Sequence, residues 1–193
     1  MKRLALIIFI VCGLMLWMTG PSLAKELMIS DFDSGAKPSN VGGDFGSWDK
    51  DPTDFTQTCT ETFDPIVKHG NSGFSMRIDY DVDSPNPAYN GFWGKLEGLD
   101  ATGYNKLVLW VKGDEEKGFT KVFKVELKNN SGEVGRYYIT GVTNDWTKIE
   151  IPLERMAGLT DLSSLSEFII VFEDRIATQK EGTIYVDDIH LTD

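Results

Sequence analysis

The chain has 193 residues, with 19 Lys and Arg against 30 Asp and Glu and a formal net charge of −11. That balance excludes nucleic acid as a partner, because its phosphates would be repelled, and gives no attraction to an anionic membrane surface. With 41% hydrophobic and 25% charged residues the chain is expected to fold, and its length suits one domain.

Residues 1–24 differ in kind from the rest. Lys2 and Arg3 precede an apolar run from Leu4 to Trp17, and Ser22-Leu23-Ala24 closes the segment with small residues where a signal peptidase reads. This is a secretory signal peptide, and the apolar run is short for a retained membrane span. Cys12 follows Val11 rather than the small residue a lipidation site needs. Export to the periplasm or the extracellular space follows, with no membrane association after cleavage. Cys59 is then the one cysteine left, so no disulfide forms within the mature chain.

From residue 25 onward the chain reads as short strands between Gly, Asn, Asp and Pro clusters. Asp31-Phe32-Asp33 ends the first strand. In Gly73–Asp81, Phe74, Met76, Ile78 and Tyr80 alternate with Ser75, Arg77, Asp79 and Asp81, a strand with one wet face. Next, Tyr89, Gly91, Trp93 and Lys95 share one face of a strand, and Phe92 and Leu96 the other. Lys106–Lys112 is apolar on both faces and is expected to be central. Val122–Lys128 and Val134–Thr140 flank Asn129-Asn130-Ser131-Gly132, a strong hairpin turn. Trp146–Leu153, Glu167–Phe172 and Thr183–Leu191 complete the set, and Glu154–Leu165 is the best helical stretch, at no more than about two turns. Residues 25–193 are therefore expected to form one all-β antiparallel sandwich. Its expected core is Phe74, Met76, Ile78, Leu107, Leu109, Val125, Leu127, Ile149, Ile151, Ile170 and Phe172.

Catalytic signatures are absent from the sequence. Neither His69 nor His190 belongs to an HExxH-type motif, and there is no GxSxG elbow. Two other chemistries have residues to support them. Asp31 and Asp33 at the end of the first strand, and Asp187-Asp188 in the last, would bring together oxygen ligands suited to Ca2+ if the terminal strands adjoin. A solvated acidic edge is the alternative. On the strand faces, Tyr89 and Trp93, with Lys124, Glu126, Arg136 and Tyr138 of the following hairpin, form an outward set of flat rings beside charged groups. Such a set suits a sugar, whose C–H face stacks on aromatics while its hydroxyls bond to the charges. Ordinary sandwich aromatics are the alternative.

The opening Ile29-Ser30-Asp31-Phe32-Asp33-Ser34-Gly35 and Asn40-Val41-Gly42-Gly43-Asp44-Phe45-Gly46-Ser47-Trp48 resemble the start of galactose-binding-like jelly-roll modules. Three further stretches agree: Gly103 to Gly113, Asp145 to Leu153 and Tyr185-Val186-Asp187-Asp188-Ile189. The ordered set is most similar to family 11 carbohydrate-binding modules and the related complex I intermediate-associated protein domains. The resemblance implies a structural Ca2+ held by Asp31, Asp33 and Asp187, with Asp188 as the other choice for the last ligand and a carbonyl from Gly70-Asn71-Ser72-Gly73 contributing. It also implies a poly- or oligosaccharide bound on a concave sheet face, which by strand alternation alone would display Tyr89, Trp93, Lys124, Glu126, Arg136 and Tyr138, and it places Trp110 and Trp146 in the framework core. The expected function is that of an exported non-catalytic carbohydrate-binding module, the alternative being an assembly protein that holds a protein partner on the same face.

Overall fold

Alternation along the chain is enough to form most of the strands, and long-range pairing sorts them into two sheets. The structure is a computed structural model and describes residues 25–193. The leader assigned to residues 1–24 lies outside the described residues. The strands are β1 (Glu26–Ser30), β2 (Phe45–Asp49), β3 (Thr58–Asp64), β4 (Ser75–Asp81), β5 (Tyr89–Leu99), β6 (Lys106–Gly113), β7 (Val122–Asn129), β8 (Val134–Thr140), β9 (Thr147–Pro152), β10 (Leu165–Glu173) and β11 (Glu181–Thr192).

All pairings among them are antiparallel. One sheet has the order β3-β4-β11-β6-β9, with β1 also on β11; the other has the order β2-β5-β10-β7-β8. The architecture is an all-β, two-sheet sandwich. The long β11 organises the first sheet. Its leading half pairs with β4 as far as Val186↔Met76, and its trailing half pairs with β1 from Ile189 on. Between them the register slips, and Asp188 takes a φ of 47°. This bulge re-aims Asp187 and Asp188 where the strand changes partners.

The core lies between the sheets. Met76, Ile78 and Tyr80 from β4 and Leu107, Leu109 and Val111 from β6 meet Phe123, Val125, Leu127, Phe168, Ile170 and Phe172 of the second sheet. Tyr80 stacks on Phe172 across the sandwich, with ring centroids 4.0 Å apart and planes at 10°. Its hydroxyl accepts the Thr120 N–H at 2.6 Å and donates to the Gln179 carbonyl at 3.1 Å, so the polar end of this buried ring is satisfied.

Several sequence expectations need correction. Phe74 lies just outside β4, after Gly73 with φ 76°, and packs beside Phe63 with only partial burial. Ile149 is half-buried because β9 is an edge strand. The helical stretch supplies only a single 3-10 turn, Leu153–Arg155. Trp110 and Trp146 are half-buried outside the core, with the His69 ring stacked on Trp110 at 3.9 Å and edge-on to Trp146 at 5.8 Å. The sequence reading also passed over β2 and β3, which complete the two sheets at one side.

Candidate functional site

The outer face of the five-stranded sheet follows directly from strand register. Gly46↔Trp93 and Trp48↔Gly91 pair across β2 and β5. Trp93↔Ile169, Lys95↔Glu167 and Tyr89↔Glu173 continue the face onto β10. Ile169↔Glu126 and Val171↔Lys124 carry it to β7, and Glu126↔Arg136 and Lys124↔Tyr138 to β8. All six residues expected to share one face, Tyr89, Trp93, Lys124, Glu126, Arg136 and Tyr138, are on it.

A groove of about 310 Å³ runs over this face, lined among others by Trp48, Tyr89, Trp93, Lys124, Glu126 and Glu167. Ile169 and Val171 form its apolar floor and are only 5% and 4% exposed, because longer side chains on the flanking strands lean over them. One end is aromatic: Trp48 meets Tyr89 edge-on at 5.7 Å. The Trp93 indole lies across Gly46, where a Cβ would come within 3.2 Å of the ring. A Cβ there would require the indole to give by a few tenths of an ångström.

The other end is a lattice of ion pairs. Glu167 bridges Lys95 and Lys128, the second at 2.9 Å. Lys124 bridges Glu173 and Glu126, the second at 3.0 Å, and Arg136 approaches Glu126 at 3.5 Å. Burial pushes the Glu167 carboxyl up, but Lys95 and Lys128 outweigh it and hold the group below the usual range. Burial likewise pushes Lys124 down, and Glu173 and Glu126 more than compensate. Glu167 and Lys124 stay ionised, and the ion pairs hold their side chains in place, so they present an acceptor and a donor to the groove with little reorganisation.

The acidic residues of the two terminal strands lie at one end of the sandwich. Asp187 is 1% exposed, and its carboxylate accepts the N–H of His69 and of Asp188, each at 2.9 Å. Burial, with help from Asp188 and Asp33, pushes it up to about 7. Asp33 is raised by burial and by Asp31 and Asp188. Asp31 takes an Asn40 Nδ2–H at 2.8 Å and the Asp33 N–H at 3.1 Å. Asp188 is 2.6 Å from His69 Nδ1, which pins the β3–β4 loop over the pair. Among the described residues, no three His, Cys, Asp or Glu side chains group closely enough to hold a metal by themselves.

The sequence model described as "Carbohydrate binding domain (family 11)" matches residues 18–166. The chain belongs to that family. Its members are non-catalytic carbohydrate-binding modules, and solved structures agree on the fold. The family 11 module of the cellulosomal cellulase Lic26A-Cel5E of Clostridium thermocellum superposes with a TM-score of 0.63 at 22% identity, covering 88% of this chain and 95% of that one. A Clostridium thermocellum family 11 module in complex with a β-1,3-1,4-mixed-linked tetrasaccharide gives 0.63 at 21% identity, covering 88% and 96%. The CBM22-1 xylan-binding domain from Paenibacillus barcinonensis Xyn10C gives 0.52 at 13% identity, covering 89% and 97%. No curated protein sequence matches the chain.

In this family 11 module, sequence reasoning missed Trp48, Lys128, Glu167, Ile169 and Val171 as groove residues. Trp48 had a signal, since Gly46 and Trp48 alternate with Phe45, Ser47 and Asp49. Ile169 and Val171 had only their alternation with the core positions Ile170 and Phe172, in a strand apolar on both faces.

Proposed function

We propose that the protein is exported and binds a poly- or oligosaccharide, without turning it over, in the groove on the outer face of the five-stranded sheet. The observation that carries this reading is the groove itself: Trp48, Tyr89 and Trp93 stand over an apolar floor, beside ion-paired side chains fixed at hydroxyl-bonding positions. Tyr89, Trp93, Lys124, Glu126, Arg136 and Tyr138 are the proposed contacts. Glu167, held ionised by two lysines, is unsuited to the general-acid role that glycoside hydrolysis needs. The leader of residues 1–24 supports export.

A structural Ca2+ at the Asp31, Asp33 and Asp187 end belongs to the same proposal. The residues fit a cation in charge, because a nearly inaccessible Asp187 faces two further carboxylates with no basic side chain paired to it among the described residues. They fall short in number, so carbonyl oxygens and water would complete the six to eight ligands Ca2+ takes.

Affinity electrophoresis and a glycan array on the mature protein test the binding reading, with a mixed-linked β-glucan as the first ligand and Trp93→Ala as the control. Retention that Trp93→Ala loses supports it. Binding to no glycan overturns it in favour of a protein partner on the same face.

A further inference from the structure

Four buried side-chain atoms have no hydrogen-bond partner among the described residues, and three of them, Asp49 Oδ1, Gln57 Oε1 and Asn90 Oδ1, belong to one corner of the sandwich. Asp49 and Asn90 are register partners on β2 and β5, and their side chains point inward, on the opposite side of the sheet from the groove. Asn90 is fully buried, and its Nδ2 donates to the carbonyls of Thr58 at 2.9 Å and Asp81 at 2.7 Å. Asn90 thereby holds the Thr58–Cys59 peptide, and Asp49 is its register partner on the neighbouring strand. Gln57, 4% exposed, immediately precedes that peptide.

The amide orientations are determined by their partners rather than assumed. Nδ2 of Asn90 must face two carbonyls, and Nε2 of Gln57 donates to Asp54 Oδ2 at 3.0 Å. The two unpartnered amide atoms are therefore oxygens, and with the Asp49 oxygen they make a set of acceptors with no donor. Each such buried acceptor costs about 1–3 kcal/mol if left unsatisfied. One water carries two hydrogens and cannot serve three acceptors. The surroundings are also negative: burial, then Asp49, Glu61 and Asp79, push the neighbouring Cys59 thiol up, and no basic side chain pairs with Asp49 among the described residues. One carboxylate and two amide carbonyls form an all-oxygen set of the type that hard cations select.

We infer that Asp49, Gln57 and Asn90 bind a hard cation, Ca2+ or Na+, between the sheets. The site is distinct from the Asp187 end, since Asp81 beside Asn90 and Ser75 near the Asp187 bulge are the two ends of β4. It lies behind the aromatic wall, because Asp49 follows Trp48 and Asn90 follows Tyr89.

The test uses Asp187→Asn as the background, so that a cation at the other end does not contribute. The chelated, desalted protein is titrated separately with CaCl2 and with NaCl, each against choline chloride at equal ionic strength, and Tm is read. At a hundredfold excess over Kd, Tm should rise by about 5–10 °C. Asp49→Asn, which keeps the shape and removes the charge, should abolish the rise. Gln57→Met, which removes an oxygen and leaves the charge, should weaken Kd at least tenfold, and it is the deciding variant if Asp49→Asn does not fold. A response at millimolar CaCl2 assigns the divalent ion, and one that needs NaCl assigns the monovalent ion. A Tm that ignores both cations, or a response that Gln57→Met and Asp49→Asn leave intact, overturns the site.

Discussion

Replacing Trp93 by Ala removes the central ring of the groove while leaving its strand pairing untouched. A fully covered Trp buries about 150–250 Å². Trp93 is already half-buried against Gly46, so a stacked sugar would cover roughly 100 Å² more of the indole, at an order-of-magnitude 25 cal/mol per Å² of apolar area. Part of that gain is offset by ordering the ligand, leaving about 1–2 kcal/mol, or roughly a 5- to 30-fold weaker Kd for Trp93→Ala. Lys95, whose ammonium lies 5.6 Å from the ring centroid, would lose its aromatic neighbour without losing Glu167. Isothermal titration with the best glycan from the array measures the change, and Tm confirms that the variant is folded. Trp146→Ala, outside the groove beside His69, should leave Kd unchanged. A folded Trp93→Ala protein with wild-type Kd would refute the stacking argument.

Three further outcomes are expected. Phe172→Ala, in the buried stack with Tyr80, should cost about 3–5 kcal/mol and lower Tm by about 6–20 °C, whereas Glu150→Ala on an exposed edge should be close to neutral in the same melt. Because the folded Glu167 carboxyl titrates below its ordinary value, its contribution is present above the usual carboxylate range and is lost as pH falls through its folded value; glycan affinity should drop there, and Glu167→Gln should reproduce the drop at neutral pH. Chelator should lower Tm and added Ca2+ restore it, with about 2.7 kcal/mol available at a hundredfold excess over Kd. Asp187→Asn should reduce that response, and Asp81→Asn should not, since among the described residues the Asp81 carboxylate accepts just the nearby Asp83 N–H. A calcium response that Asp187→Asn leaves unaltered would remove the ion from that end.

What the sequence determined by itself is what depends on a period of two. Alternation put Tyr89 and Trp93 on one side of β5 and Phe92 and Leu96 on the other, and the structure keeps that division. The Asn129–Gly132 turn likewise specified the β7–β8 hairpin from local chemistry, with the Gly132 N–H on the Asn129 carbonyl and a φ of 90°. Strand order is not local, and the site depends on it. Glu167 became the bridge between Lys95 and Lys128 only because β10 inserts between β5 and β7, joining residues 72 and 39 positions apart. Ile169 and Val171 alternate with the core positions Ile170 and Phe172, but in a strand apolar on both faces nothing marked them as a binding surface; pairing made them the groove floor. Trp48 acquired its place from the paired Gly46 and Trp93, and Asn90 became a buried bridge only when β3 and β4 closed over it. Side-chain period is a property of a single strand, whereas neighbours are chosen by burial across the whole chain, and so the faces could be read from the sequence and the partners could not.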